Sequence, residues 1–284
     1  MLVGEVLWDE FPDGARLGGA PLNVAVHLTR LGHRLLLLSA VGTDPLGCEA
    51  RSAIAALGLD TRFVQSTDRF GTGRAVVRVG PGDQTSFAIE RPAAYDAVAL
   101  SDASVRQIVQ WAPAWLYYGT LFPSSPDADR VLRRLLDALP NTARFYDLNL
   151  RPGFESPDLV DRLLGAATVV KLNERELRFV HERLDLPHDP EGFCRAGSAR
   201  YGWRAACVTL GASGCAMLIG DHYVTAPGCQ VTVADPVGAG DAFAAAFIHG
   251  IVSDWPAARV ASAANRAGGL VAATHGAIPD AGVR

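Results

Sequence analysis

Short apolar runs alternating with amphipathic segments constrain this chain more than any other feature of its sequence. "RLLLLSAV" (34–41) has the length and continuity of a buried strand, and "LGCEARSAIAALG" (46–58) follows it as a helix closed by Gly58. "WLYYGT", "ARFYDLNL", "TVVKLN" and "AACVTL" repeat the theme. Each is a strand candidate followed by a Gly, Pro or polar break and, for the most part, a helical segment. Parallel strands need crossovers between them, so the rhythm predicts an α/β protein: a mostly parallel central sheet with helices on both faces. Ligands of such sheets gather at the carboxyl ends of the strands, so chemistry-bearing residues are expected there.

One stretch departs from the rhythm. "TGRAVVRVGPGDQTSFAIERPAAYDAV" (72–98) alternates apolar and polar residues on either side of "GPGD", which predicts a β-hairpin. Outside a parallel core, such a hairpin suits a flap over a site or a surface for a second copy of the chain. At 284 residues with 49% hydrophobic content, the chain can bury a sizeable core as one large α/β domain or two smaller ones. No linker-like segment, low-complexity tract or internal repeat divides it.

Charge and motif content exclude several classes of function. A formal net charge of −4 argues against a general nucleic-acid or polybasic membrane binder. Lys171 is the single lysine among 26 basic residues, and no Gly-Lys-Ser/Thr triplet exists, so there is no P-loop. H-E-x-x-H, G-x-S-x-G and G-x-G-x-x-G are absent too, and the seven histidines lack metal-ligand spacing. The five cysteines (Cys48, Cys194, Cys207, Cys215 and Cys229) form no C-x-x-C pair and read as free thiols of a reducing cytosol. "MLVGEVLWDEF" is no signal peptide, and no uncharged run reaches membrane-spanning length. A soluble, cytoplasmic protein is expected.

Four constellations remain. In "DPVGAGDAFAAAFIHG", Gly238, Ala239 and Gly240 precede Asp241 and an apolar helix over 241–252. Backbone N–H groups at such a helix start, approachable past small residues, bind anions. Asp241 is then either a helix N-cap or a carboxylate with a purpose. In phosphoryl transfer the N–H groups stabilise the transferring group while a nearby carboxylate takes the proton of the attacking hydroxyl. "GGAPLNVAVHLTRLG" (18–32) starts a second helix beside Gly18 and Gly19. There Asn23 either bonds a nearby loop or, with Asp9, holds substrate hydroxyls. In "KLNEREL" (171–177), Asn173 and Glu176 share a face, as a reciprocal helix cap or as oxygen groups near Mg2+. "VTLGASG" (208–214) places Thr209, Gly211 and Gly214 at a strand end, in a plain hairpin turn or where a nucleotide approaches the backbone.

Taken in order, "GGAPLNVAVHLTRLG", "DLNLRP", "KLNEREL" and "DPVGAGDAF" resemble the PfkB, or ribokinase-like, carbohydrate kinases, with a flavour closest to fructokinase. The resemblance covers nearly the whole chain. It implies a single ribokinase-like domain over 1–284, an α/β core with a β-lid contributed by about 9–18 and 72–91. It further implies that a sugar hydroxyl attacks the γ-phosphate of ATP, with Asp241 as base and Gly238, Ala239 and Gly240 as the anion hole. Asp9, Gly19 and Asn23 would hold sugar hydroxyls, and Arg151 would approach the sugar or the transferring phosphate. Asn173 and Glu176 would organise Mg2+ and phosphate through water. Thr209, Gly211, Gly214 and Asn265 would lie near the nucleotide. Many members bind a monovalent cation such as K+ through an Asp matching Asp235. Here Pro236 stands where the commonest signature has Thr, which weakens that expectation.

The reading is therefore an ATP-dependent kinase acting on a primary sugar hydroxyl, with fructose first and 2-keto-3-deoxygluconate, ribose or a nucleoside as alternatives. A non-catalytic regulator that binds sugar or nucleotide is the rival from another class, but binding alone would not require both the base and the anion hole. The resemblance allows a homodimer through the lid hairpin, as in many members of the family, while edge strands can equally be covered within one chain.

Overall fold

The structure, a computed structural model, describes residues 1–12, 14–79 and 85–279. The "GPGD" turn anticipated at 80–83 lies outside the described residues. The chain divides into two compact units, Met1–Ala114 with Leu121–Thr142, and Trp115–Thr120 with the chain from Ala143 onward.

The first unit holds a parallel three-strand ladder: β1 (Leu2–Val3), β4 (Leu37–Gly42) and β5 (Val64–Thr67), with Leu2 opposite Leu37 and Ser39 opposite Val64. A separate four-stranded sheet has the order β3 (Gly14–Gly18), β2 (Leu7–Phe11), β6 (Gly73–Val79), β7 (Thr85–Ile89). β6 and β7 are the antiparallel pair predicted from the alternation at 72–98, and β2 joins them in parallel through β6. Helices α1 (Ala20–Arg30), α2 (Pro45–Ala56), α3 (Asp102–Trp111) and α4 (Pro126–Ala138) complete the unit.

The ends of α2 follow from its sequence. Asp44 caps it by accepting from Gly47 N at 2.8 Å, and Pro45 occupies the first turn, where its missing N–H costs nothing. Gly58, with φ 83°, closes the helix as anticipated: Gly58 N bonds Ala55 O and Leu59 N bonds Ile54 O, satisfying two terminal carbonyls. β4 begins three residues later than expected for its run, since pairing starts where Leu2 N reaches Leu36 O.

The second unit is built on β8 (Trp115–Tyr118), β9 (Ala143–Asp147), β10 (Val169–Asn173) and β11 (Ala205–Thr209), all parallel. β12 (Cys215–Ile219) and β13 (His222–Ala226) extend this sheet antiparallel. That extension departs from the expected strand–helix rhythm. Its cause is local: Gly220, at φ 57°, and Asp221 form a two-residue hairpin turn too short for a crossover. Helices α5 (Pro157–Ala166), α6 (Glu174–Leu184), α7 (Pro190–Tyr201), α8 (Ala239–Val252) and α9 (Ala257–Ala272) pack with it.

Period-two alternation divides the aromatic residues of β8 and β9 between the two faces of this sheet. Tyr117 stacks on Phe145, which meets Phe247 of α8 edge-on at 5.5 Å. Tyr118 stacks on Tyr146 on the opposite face, and its hydroxyl donates to Leu163 O of α5 at 3.3 Å. Helices thus cover both faces, as predicted, with each fully buried ring contributing about 2–3 kcal/mol of transfer free energy. No helix among the described residues is long and apolar enough to cross a membrane.

Candidate functional site

In the second unit, the carboxyl ends of β9, β10 and β11 lie side by side. Asp147 ends β9 opposite Lys171 on β10, while Asn173 ends β10 opposite Thr209 at the end of β11. A parallel sheet brings polar strand ends together in this way, and ligands bind there in open α/β sheets.

Lys171 Nζ donates to both oxygens of Asp147, at 2.8 and 3.0 Å, and Tyr117 Oη donates to Asp147 Oδ2 at 3.3 Å. Both charged side chains are buried. Burial by itself would lower the Lys171 pKa, but the negative charges of Asp147, Glu176 and Asp241 hold the ammonium above its usual 10.5. Sequence reasoning quoted both residues without giving either a role in the site. The available signal was a single charge inside the apolar run "TVVKLN", which a buried strand retains only if it is paired.

Asn173 and Glu176 form the reciprocal cap of α6. Asn173 Oδ1 accepts from Glu176 N at 3.0 Å, and Glu176 Oε2 accepts from Asn173 N at 2.9 Å. The other oxygen of Glu176 accepts from Leu150 N at 2.8 Å, which ties the segment bearing Arg151 to the start of α6. Burial raises the Glu176 pKa against the pull of Lys171 and these two amides.

The start of α8 is fixed by Gly238, not by Asp241. Gly238 is the N-cap residue at φ 82° and ψ −9°, and a Cβ there would stand 2.4 Å from Ala277 Cα. Ala239, Gly240 and Asp241 are the first three helical residues, so Asp241 lies within the first turn, half-buried. The N-cap reading of Asp241 therefore fails, because the backbone at 238 turns in a conformation that glycine supplies. Gly240 is exposed, and a Cβ on it would meet Lys171 Nζ at 3.7 Å. The lysine ammonium thus ends beside the first turn that carries Asp241. Asp235 braces the approach to this turn, Oδ1 accepting from Val237 N and Oδ2 from Gly276 N, both at 3.0 Å.

Of the remaining predicted residues of this unit, Gly214 and Asn265 meet residues 226–228, whereas Thr209 and Gly211 do not. Asn265 Nδ2 donates to Ala226 O and Pro227 O at 3.0 Å each. A Cβ on Gly214 would stand 2.0 Å from Ala226 O, and φ 101° there excludes other residues. Gly211, at φ 56°, faces open space in the short turn joining β11 and β12, and Thr209 Oγ1 donates to Leu172 O at 3.4 Å. Asn265 and Gly214 shape backbone here, whatever else they do.

Asp9, Gly19 and Asn23 come together within the first unit. Asp9 is buried on β2, and a Cβ on Gly18 would lie 2.3 Å from its Oδ2. Gly19 caps α1, and a Cβ on it would stand 2.4 Å from Glu5 O. Asn23 is buried one turn later, its N–H bonded to Gly19 O at 2.9 Å. Sequence reasoning passed over Glu5, a buried carboxylate that accepts from Ala20 N at 3.3 Å and so replaces the cap that Gly19 lacks.

The chain matches the pfkB family of carbohydrate kinases over residues 14–282. It is 29% identical over 265 residues to the fructokinase of Klebsiella pneumoniae, an alignment covering 89% of this chain and 84% of that one. A crystal structure of an uncharacterized sugar kinase from Pyrococcus horikoshii in complex with ATP matches with a TM-score of 0.81 at 24% identity, over 97% of this chain and 93% of that one. The 2-dehydro-3-deoxygluconokinase of Thermotoga maritima matches with a TM-score of 0.85 at 18% identity, over 99% and 96%. The structural likenesses establish the expected ribokinase-like α/β fold.

Proposed function

This chain belongs to the pfkB family of carbohydrate kinases, and from that premise we propose that it transfers the γ-phosphoryl group of ATP to a primary hydroxyl of a sugar, fructose first. The observation that carries this reading is the start of α8, where the left-handed Gly238 opens a small-residue turn and Asp241 stands half-buried within it. Asp241 takes the proton of the attacking hydroxyl, and the backbone N–H groups of Gly238, Ala239, Gly240 and Asp241 stabilise charge on the transferring group. A carboxylate in an anion site is a handicap for binding alone and an asset when a neutral alcohol lies between it and the phosphate. That argument ranks a catalyst above a non-catalytic sugar or nucleotide sensor.

Asp9, Gly19 and Asn23 hold sugar hydroxyls in this reading, and Arg151, tethered through Glu176 and Leu150, supplies a planar cationic donor. Thr209, Gly211, Gly214 and Asn265 border the nucleotide. Among the described residues no group of three or more His, Cys, Asp or Glu side chains could hold a metal ion, and both Glu176 oxygens already serve amides. Mg2+ therefore fits as part of MgATP, held by phosphates and reached through water by Asn173 and Glu176, where it neutralises phosphate charge. Asp235 is the candidate for a K+ site, without the hydroxyl that Pro236 replaces. Segments 9–18 and 72–91, which contain most of the separate four-stranded sheet, act as a water-excluding lid and as a homodimer surface within a single catalytic domain. Free thiols and a sugar substrate suit the cytoplasm.

The test is ADP release with MgATP against fructose, ribose, 2-keto-3-deoxygluconate, adenosine and no acceptor, with Asp241→Asn in parallel. Turnover on fructose, reduced about 10²–10⁴-fold or more in the variant, is expected. Turnover on another acceptor moves the substrate and keeps the base. If no acceptor raises ADP release above background while ligands still bind, the sensor reading replaces the kinase.

A further inference from the structure

The ion pair between Lys171 and Asp147 is a poor device for stability. Taking two charges out of water costs several kcal/mol per ion, and well-packed apolar residues of similar volume often serve the fold as well or better. The cation also ends in the wrong place for a structural charge. Nζ lies beside Gly240 in the first turn of α8, where the helix dipole is positive and disfavours a cation. Asp147, held by Tyr117 on its other side, compensates for part of that repulsion. What a buried ammonium and a helix N-terminus share is attraction for an anion.

The choice of residue points the same way. Every other basic residue of this chain is arginine, yet this position has lysine. Arginine presents a planar fork suited to surface carboxylates, whereas lysine is a compact point charge on a flexible stem. The stem of Lys171 is buried in β10, and its tip reaches the side of an exposed glycine. A compact charge fits there.

We propose that Lys171 is a second catalytic group of this site, its ammonium contacting the terminal phosphate of ATP over the first turn of α8, with Asp147 as the positioning residue that aims it. The proposal rests on the kinase reading above and deepens it. In the transfer, the acceptor oxygen forms a bond to phosphorus, the bond to the leaving oxygen of ADP breaks, and the acceptor proton passes to Asp241. Lys171 gains and loses no proton; its charge offsets the charge that spreads over the transferring oxygens.

The experiment compares wild type, Lys171→Met, Asp147→Asn and the double variant. It reads kcat, sugar KM, thermal midpoint and, without acceptor, the calorimetric preference for ATP over ADP. Lys171→Met strands a buried carboxylate, so its midpoint should fall, and the double variant should recover it. If Lys171 touches the phosphate, kcat of the double variant stays about 10²–10³-fold below that of Asp147→Asn, sugar KM moves by less than about threefold, and the ATP preference shrinks about tenfold. A double variant matching Asp147→Asn in kcat, or one with an unchanged ATP preference, overturns the proposal and leaves a structural ion pair. A wild type without turnover on any sugar, whose ATP preference still depends on Lys171, sinks the acceptor reading and retains the phosphate contact.

Discussion

A methyl group added at Gly238 and one added at Gly240, two residues apart on the same turn, should have opposite effects on stability. At Gly238 the left-handed backbone disfavours any side chain, and the new Cβ would stand 2.4 Å from Ala277 Cα. Gly238→Ala should therefore destabilise the protein by about 1–3 kcal/mol, read by chemical denaturation, and disorder the anion site with it. At Gly240 the backbone is helical, and among the described residues beyond its own helix the new Cβ would meet Lys171 Nζ alone, at 3.7 Å. Gly240→Ala should leave stability unchanged or raise it by up to about 1 kcal/mol, while lowering kcat by crowding the ammonium and the approach to the helix start. A Gly240→Ala enzyme with full turnover would remove this turn from the chemistry. Both glycines were legible as small residues before a helix. Their different reasons were not, since these depend on Ala277 and Lys171, residues far away in sequence.

At the scale of elements, Asp44 joins a helix to a strand. Besides capping α2 it accepts from Thr72 N at 2.7 Å and Thr72 Oγ1 at 2.6 Å, immediately before β6 begins. Burial would raise its pKa, but the Thr72 and Gly47 hydrogen bonds outweigh it and hold the carboxyl below its ordinary 3.8. A depressed folded-state pKa means stability that is complete above 3.8 and lost as pH falls through the folded value. The difference in unfolding free energy between wild type and Asp44→Ala should be about 1–2 kcal/mol near neutrality and shrink below pH 3.8. Denaturation curves across that range check it, and a difference that stays constant would refute the linkage. The cap itself could be read from "TDPLG", a local pattern. The bond to Thr72 could not, because it spans 28 residues and exists only once the chain has returned to β4.

Within the first unit as a whole, one arginine holds together stretches that the chain visits far apart. The Arg91 side chain is buried; it pairs with Asp96 and donates to Leu121 O at 2.7 Å and to Ser124 Oγ. It thereby fastens the returning segment 121–142 onto the stretch after β7. Arg91→Met should cost about 3–5 kcal/mol, chiefly by leaving the Asp96 charge buried without its cation. Removing the exposed Arg195–Glu191 pair should change stability by no more than about 0.5 kcal/mol. Equal losses from the two would show that burial does not set the value of these pairs. For the whole chain, sequence alone determined the kinds of element and their order, the hairpin at 72–98, and the small-residue helix starts with their candidate carboxylates. Those properties depend on periodicity and on the conformational limits of nearby residues. Only tertiary structure decided that Gly238 rather than Asp241 caps α8, and that Asp147 meets Lys171 across 24 residues of chain. A one-residue slip between β9 and β10 would have turned that lysine away from Asp147, and register is fixed by packing on both faces of the sheet rather than by either strand alone.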